Sequence, residues 1–242
     1  MADVELQVHD GWAQVILNRP ERKNAITGPM GTALAEAMAE VEAMEDVRVV
    51  VLCGAEGAFC SGLDLKEFNA QPQPPWLASF QTIWRSAHRS LFECSKPIVG
   101  QLERYAINGG AALALACDLL VVGEGAFLQV GEVQMGMAAP YNLAWLNLRQ
   151  PEATISQVAL VGDRIHGPQL YRMGMAHQVV ADQEVMAATH ALAQKLADFP
   201  RGGLGRIKAG VRARLDCSAD EWFDRFTGKD PNGSSPKPKR VS

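Results

Sequence analysis

The chain has 242 residues, of which 48% are hydrophobic, so it can bury a sizeable core as one large domain or two small ones. Its net charge of −4 and its pI near 5.8 argue against nucleic acid as a partner. No apolar run approaches the length of a membrane span, and the acidic N-terminus does not read as a signal peptide. The five cysteines lack metal-ligand spacing, which indicates small buried side chains in a reducing compartment. We therefore expect a soluble cytoplasmic protein without a bound metal.

The first predicted elements are a hairpin and a basic loop. Residues 4–8 alternate apolar and polar side chains, residues 13–17 are largely apolar, and Asp10-Gly11 between them is a hairpin signal. The polar loop over residues 18–23 carries three basic side chains. On composition alone this loop is a solvated surface segment.

A strand and a helix follow in an order that indicates ββα units. Thr27 can cap a helix with Pro29 in its first turn, and residues 30–45 repeat apolar side chains at helical spacing. Residues 47–53 form an almost uninterrupted apolar run, which predicts a parallel strand covered on both faces.

A glycine-containing turn over residues 57–65 follows this strand. Residues 69–75 are rich in proline and predict an irregular surface loop, and residues 76–94 predict an amphipathic helix. His88 in that helix is interpreted as a surface or hydrogen-bonded histidine rather than a catalytic one, because no acid or nucleophile motif accompanies it.

The central stretch over residues 96–118 predicts a strand, a glycine turn and a buried helix of small residues. Glycines at a helix start leave main-chain N–H groups free, and the positive end of the helix dipole lies there. Such a turn stabilises a phosphate or an oxygen that becomes anionic in a reaction. A tight connection that only relieves backbone strain is the alternative. The similar turn over residues 57–65 favours the first interpretation, since two free N–H groups can hold one oxygen.

For the Glu132 carboxyl, the neighbouring residues leave two interpretations open. It follows a predicted buried strand over residues 119–122 and has apolar neighbours over residues 127–135. A carboxyl in such surroundings has a raised pKa and exchanges protons near neutral pH. An exposed glutamate at a strand end is the alternative interpretation.

The C-terminal part predicts helices and a tail. Residues 183–199 form an amphipathic helix, and residues 202–215 form a basic one whose charges are interpreted as a solvated face. Residues 228–242 are rich in Pro, Ser, Gly and Lys and predict a flexible tail.

The sequence resembles the crotonase superfamily, also called the enoyl-CoA hydratase/isomerase family. The resemblance is carried by residues 17–25 (LNRPERKNA), residues 58–65 (AFCSGLDL), Lys96-Pro97, the Asn108-Gly109-Gly110 turn and Cys117-Asp118. Their order and spacing are similar to those of the family over nearly the whole chain. The resemblance implies an α/β fold with a crotonase-like spiral of repeated ββα units in residues 1–180 and a C-terminal helical trimerisation region in residues 181–227.

The resemblance also assigns site residues. The main-chain N–H groups of Leu63 and Gly109 would bind the oxygen of a coenzyme A thioester, and Glu132 would move the proton. Lys23 and Ala25 would lie nearest the adenine and phosphate end of coenzyme A. The remaining candidate substrate-binding residues belong to the two turns: Cys60, Gly62, Asp64, Leu65 and Gly110. Asp64 is also interpreted more modestly, as the start of a helix.

Two departures from the family pattern bear on mechanism. The hydratases of the family carry a second glutamate in the helix after the glycine turn, and the matching residue here is Ala112. The family's glycines after the catalytic glutamate are replaced by bulkier residues between Gly136 and Trp145. Tyr141 and Asn142 in this segment are candidate pocket residues, but we interpret them as an ordinary helix start.

We therefore expect acyl-CoA processing through a thioester enolate, with isomerisation by a single glutamate favoured over efficient hydration. The acyl-CoA is the substrate, and no permanently bound cofactor is expected. The alternatives are an acyl-CoA hydrolase or decarboxylase of the same fold and a non-catalytic acyl-CoA-binding protein. The resemblance implies a homotrimer or a dimer of trimers, with no nucleic acid or membrane partner.

Overall fold

The computed structural model describes residues 2–228, so the predicted tail lies outside the described residues except for Gly228. Strands alternate with helices along the described part of the chain. The strands are β1 (Val4–Val8), β2 (Trp12–Leu17), β3 (Val49–Gly54), β4 (Ile98–Leu102), β5 (Tyr105–Ile107), β6 (Leu119–Gly123), β7 (Phe127–Gln129), β8 (Arg164–His166) and β9 (Gln178–Val180). The helices are α1 (Gly28–Ala43), α2 (Leu65–Phe68), α3 (Phe80–Glu93), α4 (Gly109–Ala116), α5 (Pro140–Arg149), α6 (Glu152–Val161), α7 (Gly167–Arg172), α8 (Val185–Ala197), α9 (Gly203–Arg212) and α10 (Ala219–Thr227).

The larger sheet has the strand order β1-β2-β3-β4-β6-β9. The predicted hairpin is confirmed, because β1 pairs antiparallel with β2 and places Val4 opposite Leu17. The other neighbours in this sheet pair in parallel. Every residue of β3 is buried, as its apolar run predicts. In the smaller sheet, β7 pairs in parallel with β5 and antiparallel with β8.

Successive turns of the chain stack on one another beside the larger sheet. Ile26 after β2 forms a parallel bridge with Leu63, Cys60 forms one with Ala106 of β5, and Ala106 pairs with Leu128 of β7. Each stacked segment leads into a helix, as in β1-β2-α1 and β4-β5-α4. The predicted spiral of repeated ββα units is therefore confirmed.

Helix α8 covers the second face of the larger sheet. Val185, Ala193 and Ala197 pack against side chains from one face of the strands: Trp12, Val49, Val51, Val99 and Val121. The expected C-terminal helical region begins at residue 181, and its first helix, α8, packs on the sheet because the sheet is apolar on both faces and needs a cover on each.

The last helix packs on its own chain. Trp222 and Phe223 of α10 are buried, and the indole nitrogen of Trp222 donates to the carbonyl oxygen of Ala144 in α5 at 3.3 Å. Arg85 of α3 binds Asp224 of α10 at 2.6 Å. Within the chain, the apolar side of α10 is therefore covered by α3 and α5.

The basic helix α9 does not present all its charges to solvent. Lys208 is 8% exposed, and its Nζ lies 2.7 Å from both the carbonyl oxygen of Lys96 and Oδ2 of Asp118. Asp118 also accepts a hydrogen bond from the N–H of Ile98 at 2.8 Å. The predicted solvated face is therefore wrong for Lys208, which anchors α9 to the start of β6. No helix in residues 2–228 combines the length and apolar composition needed to cross a membrane.

Candidate active site

The two glycine turns meet in the structure. Cys60 donates from its N–H to the oxygen of Tyr105, and Ile107 donates to the oxygen of Cys60, both at 3.1 Å. A Cβ atom placed on Gly62 would lie 2.9 Å from the carbonyl oxygen of Ile107. The absence of that Cβ therefore allows the chain before Leu63 to touch the chain before Gly109.

The main-chain N–H of Leu63 is available for a ligand. Ile26 donates to the oxygen of Gly62 at 2.8 Å, and Asp64 donates to the oxygen of Ile26 at 2.9 Å. In such a parallel bridge the peptide groups on either side of Leu63 face Ile26, so the N–H of Leu63 faces away from it. That N–H has no acceptor among residues 2–228.

The N–H of Gly109 lies at the start of α4. It is one of the first four N–H groups of the helix, which have no acceptor inside the helix, and it lies at the positive end of the helix dipole. The next residue, Gly110, is packed so closely that a Cβ would lie 2.5 Å from the oxygen of Cys60. The Cys60 thiol is buried, which raises its pKa to about 12. Cys60 and Gly110 thus hold the two turns together from inside.

Asn108 connects the start of α4 to the segment of Glu132. Its backbone has φ 52° and ψ −113°, an unusual conformation for a residue with a side chain. Its N–H donates to the oxygen of Gln129 and its Oδ1 accepts from the N–H of Gly131, both at 2.8 Å. These bonds hold a strained conformation that costs on the order of 1–3 kcal/mol. Sequence reasoning treated Asn108 only as a turn residue and missed this link.

Glu132 is buried, with 8% of its surface exposed, in the 3₁₀ helix Glu132–Met135. Burial raises the pKa of its carboxyl to about 7, and hydrogen bonds from the main chain and from Asn142 offset only part of this effect. Its Oε2 atom has no hydrogen-bond partner among the described residues. The expected rise in pKa is therefore present, and one carboxyl oxygen is free to exchange a proton.

Asn142 has a contact that sequence reasoning missed. It is 2% exposed, and its Nδ2 donates to Oε1 of Glu132 at 2.8 Å. Asn142 lies in the first turn of α5, as expected of a helix start, and its side chain additionally contacts Glu132. Its only signal in the sequence is an amide in a segment where the family carries glycines, and this signal does not reveal which residue the amide contacts.

The polar loop after β2 is tied to the second turn by ion pairs. Asp64 lies between Arg22, at 2.7 Å, and Arg19, at 3.3 Å, and its side chain is 1% exposed. Burial alone would raise the pKa of Asp64, but the hydrogen bond from Arg22 and the other partners lower it. Asp64 also caps α2 by accepting from the N–H of Glu67 at 3.2 Å. The modest helix-start role is confirmed, and the side chain additionally pairs with two of the loop's three basic residues.

The remaining predicted substrate-binding residues differ in accessibility. Lys23 is exposed, and its main-chain oxygen accepts from the N–H of Ser61 at 3.1 Å. Ala25 is buried, and its oxygen already accepts from Nη1 of Arg19 at 2.7 Å. Leu65 is half-buried as the first residue of α2. Of the candidates on the polar loop, Lys23 is the one with a charged group at the surface.

Aromatic rings pack beside the start of α4. A Cβ on Gly109 would lie 3.7 Å from the ring of Trp84, which packs edge-on against His88. His88 is fully buried, stacks on Tyr141 at 4.2 Å, and accepts at Nδ1 from the indole nitrogen of Trp145 at 3.0 Å. Burial, with a smaller effect of Arg85, lowers the pKa of His88 to about 3. His88 is thus a neutral core residue, hydrogen-bonded at one nitrogen.

The described part of the chain holds no group of three or more His, Cys, Asp or Glu side chains placed to bind a metal ion. All five cysteines are free. The groups in the site that can act on a substrate are the two main-chain N–H groups, the Glu132 carboxyl and the Asn142 amide.

Comparison with known proteins identifies relatives over most of the chain. The family described as enoyl-CoA hydratase/isomerase matches residues 7–223. The 1,2-epoxyphenylacetyl-CoA isomerase of Escherichia coli K12 is 30% identical over 90% of this chain and 84% of its own. The (E)-benzylidenesuccinyl-CoA hydratase of Thauera aromatica is 32% identical over 80% of this chain and 76% of its own. A solved enoyl-CoA hydratase/carnithine racemase of Magnetospirillum magneticum superimposes with a TM-score of 0.80 at 27% identity, over 95% of this chain and 90% of its own.

Proposed function

Because the chain belongs to the enoyl-CoA hydratase/isomerase family, we propose that it processes an acyl-CoA through a thioester enolate held by the N–H groups of Leu63 and Gly109. The contact between the two turns and the lack of acceptors for both groups support this role. Donors aimed at a developing negative charge are strongly stabilising, and the loss of one typically costs about 2.7–4 kcal/mol in the transition state.

Glu132 moves the proton in this mechanism. The observation that carries the proposal is a buried carboxyl with a pKa of about 7 and a free Oε2, linked through Asn108 to the start of α4. Oε2 takes a proton from C2 of a 3-enoyl thioester, and the electron pair moves to the thioester oxygen. The same carboxyl returns the proton to C4, which leaves the double bond between C2 and C3. One acid/base group therefore suffices for isomerisation.

The test is the rate at which purified protein converts 3-enoyl-CoA into the conjugated 2-enoyl thioester. We expect Glu132→Gln to lower kcat about 10²–10⁴-fold with little change in KM. Glu152→Gln, at an exposed site on α6, is the matched control and should leave the rate unchanged. An unchanged rate in Glu132→Gln would overturn the proposal.

Three alternatives have distinct outcomes. Release of free CoA from saturated acyl-CoA thioesters would identify a hydrolase, and loss of CO₂ from a malonyl-type thioester would identify a decarboxylase. Ala112, which stands where the family's hydratases have a glutamate, favours a third outcome, tight acyl-CoA binding in calorimetry without turnover of any thioester.

Coenzyme A binding, cellular location and assembly of the chain are further parts of the proposal. Lys23 is exposed on the loop that the resemblance places near the phosphates of coenzyme A, so Lys23→Ala should raise KM for acyl-CoA and leave kcat unchanged. We place the protein in the cytoplasm because its five cysteines are free. A homotrimer or dimer of trimers is proposed from the family resemblance, and sedimentation analysis of the purified protein tests it.

A further inference from the structure

The orientation of the Asn142 amide is set by two acceptors. Its Nδ2 lies 2.8 Å from Oε1 of Glu132 and 3.1 Å from the carbonyl oxygen of Asn108. The opposite orientation would place Oδ1 against two oxygens, so the nitrogen must face both. Both N–H groups of the amide are therefore used inside the chain, and only its carbonyl oxygen is left.

Two buried oxygens in the site consequently lack partners. Oδ1 of Asn142 and Oε2 of Glu132 accept no hydrogen bond from residues 2–228. Leaving buried polar atoms unsatisfied is costly, and a ligand that donates hydrogen bonds to both of these acceptors would remove the cost. An ionised Glu132 and the Asn142 carbonyl are both acceptors, and a molecule with two O–H bonds can donate one to each.

The amide lies beside the residue that departs from the family pattern. The carbonyl oxygen of Asn108 accepts from Nδ2 of Asn142 and also from the N–H of Ala112 at 3.0 Å. Asn142 is thus adjacent to the first turn of α4, where a hydratase of the family would carry its second carboxylate. The methyl side chain of Ala112 is fully buried and offers no polar group.

We infer that Asn142 takes the place of the missing carboxylate: it positions Glu132 through Oε1 and, together with Oε2, binds water. In the reverse reaction the single O–H of a 3-hydroxyacyl-CoA donates to one of these two oxygens. This inference rests on the proposed function and adds an activity to it. The bound water donates one hydrogen bond to Asn142 Oδ1 and the other to Glu132 Oε2.

The resulting step is addition of water to a 2-enoyl thioester. The water oxygen bonds to C3, its proton passes to Oε2, and the electrons of the double bond move to the thioester oxygen. Glu132 then delivers that proton to C2, so that water has added across the double bond and the carboxylate is restored. The reverse sequence removes water from a 3-hydroxyacyl-CoA.

The experiment measures isomerisation of 3-enoyl-CoA and hydration of 2-enoyl-CoA in the same preparations of wild type, Asn142→Ala and Asn147→Ala. Asn147 lies on the same helix but is exposed, so it is the matched control. We expect Asn142→Ala to lower hydration about 100-fold and isomerisation about tenfold, with KM nearly unchanged. The kinetic pKa of Glu132 should rise in both reactions because the hydrogen bond from Asn142 is lost. Asn147→Ala should change neither rate.

The outcomes separate this inference from the proposed function. If the wild type isomerises 3-enoyl-CoA but does not hydrate 2-enoyl-CoA, the inference is overturned and the proposed function is left intact. The same conclusion follows if Asn142→Ala changes neither the pH profile nor the ratio of the two rates. A wild type without either activity overturns both. Should Asn142→Ala fail to fold, Asn142→Asp keeps the side-chain shape, removes the Nδ2 donor and should also raise the kinetic pKa. Dehydration of 3-hydroxyacyl-CoA should fall in Asn142→Ala by the same factor as hydration, because the two reactions share one set of steps, and an unequal fall would contradict the inference.

Discussion

Oδ1 of Asn108 accepts a 2.8 Å hydrogen bond from the N–H of Gly131, so the residue before Gly109 is tied to the residue before Glu132. One side chain thus sets the position of the proposed oxygen-binding N–H relative to the proposed base. The bond also helps to hold Asn108 at a φ of 52°. Geometry in the site therefore depends on Asn108 even though it has no chemical role of its own.

Replacing Asn108 by Gly should separate activity from stability. Glycine adopts φ near 50° freely, and this relief offsets the loss of a hydrogen bond of about 1 kcal/mol. We expect a stability change below about 1 kcal/mol in urea unfolding and a fall in kcat of about 10–100-fold. Arg104→Gly is the control, because Arg104 has the same φ of 52° but an exposed side chain. Full activity in Asn108→Gly would contradict the positioning role.

Glu132→Gln should stabilise the protein, most strongly above neutral pH. The folded pKa of about 7 lies above the ordinary value of 4.5, so the folded state binds more protons between these pH values. The stability of the wild type therefore falls as pH rises from about 4.5 through 7. The variant lacks this loss. Its free energy of unfolding should exceed that of the wild type by on the order of 3 kcal/mol at pH 8 and by little at pH 4.5. Urea unfolding at the two pH values measures the difference, and an equal gain at both would contradict the burial effect.

Gly110→Ala should reduce the stability of the protein more than Gly109→Ala. The new Cβ at position 110 meets the carbonyl oxygen of Cys60 at 2.5 Å, and moving that oxygen disrupts its bond from Ile107. At position 109 the Cβ meets Cδ1 of Ile26 at 2.9 Å, the far end of a flexible side chain. We expect Gly110→Ala to destabilise by about 1–3 kcal/mol and Gly109→Ala by less than about 1 kcal/mol. Equal thermal unfolding midpoints would show that the two turns are not packed as described.

Asp64→Asn should be strongly destabilising. The substitution keeps the shape but removes the carboxylate that Arg19 and Arg22 share, and Arg19 keeps its pair with Glu67 at 2.5 Å, so the cost is on the order of 2 kcal/mol. The pKa of Asp64 is lowered, so its contribution is present above its ordinary pKa and is lost only as pH falls through the lowered value. The difference should therefore persist from pH 5 to 8.

The exposed pair of Asp46 and Arg201 provides the control for Asp64. Its atoms lie 2.6 Å apart, but the side chains are 91% and 67% exposed, so Asp46→Asn should cost less than about 1 kcal/mol. Equal losses in the two variants would contradict the structural role of the buried pair.

His88→Phe should improve stability in acid. The pKa of His88 is lowered to about 3, so the unfolded chain binds a proton below pH 6.5 while the folded protein does not. As pH falls from 6.5 to 3, the free energy of unfolding of the wild type therefore decreases by up to about 1.4 kcal/mol for each pH unit. The variant loses less over this range, although Trp145 forfeits its acceptor at every pH. Unfolding at pH 4.5 and 7.5 tests this, and parallel curves for both proteins would refute it.

Several elements and the candidate chemistry could be predicted from the sequence. The hairpin at Asp10-Gly11, the buried strand β3 and the helix capped by Thr27 follow from residue spacing and turn chemistry, which act over a few neighbours. These are local properties, and local sequence is enough to specify them. The apolar flanks of Glu132 indicate a raised pKa as one of two interpretations, and burial by the fold decides between them.

Tertiary contacts decided the rest. The sequence alone does not reveal that Asn142 faces Glu132, that Asp64 joins Arg19 and Arg22, or that Lys208 is buried against Asp118. In each case a charged or amide side chain contacts a residue on another element, although its composition alone predicts a position in solvent. The spacing of polar residues in the sequence does not predict which distant residue each one contacts. Hydrogen bonds and ion pairs depend on where the fold brings two atoms together.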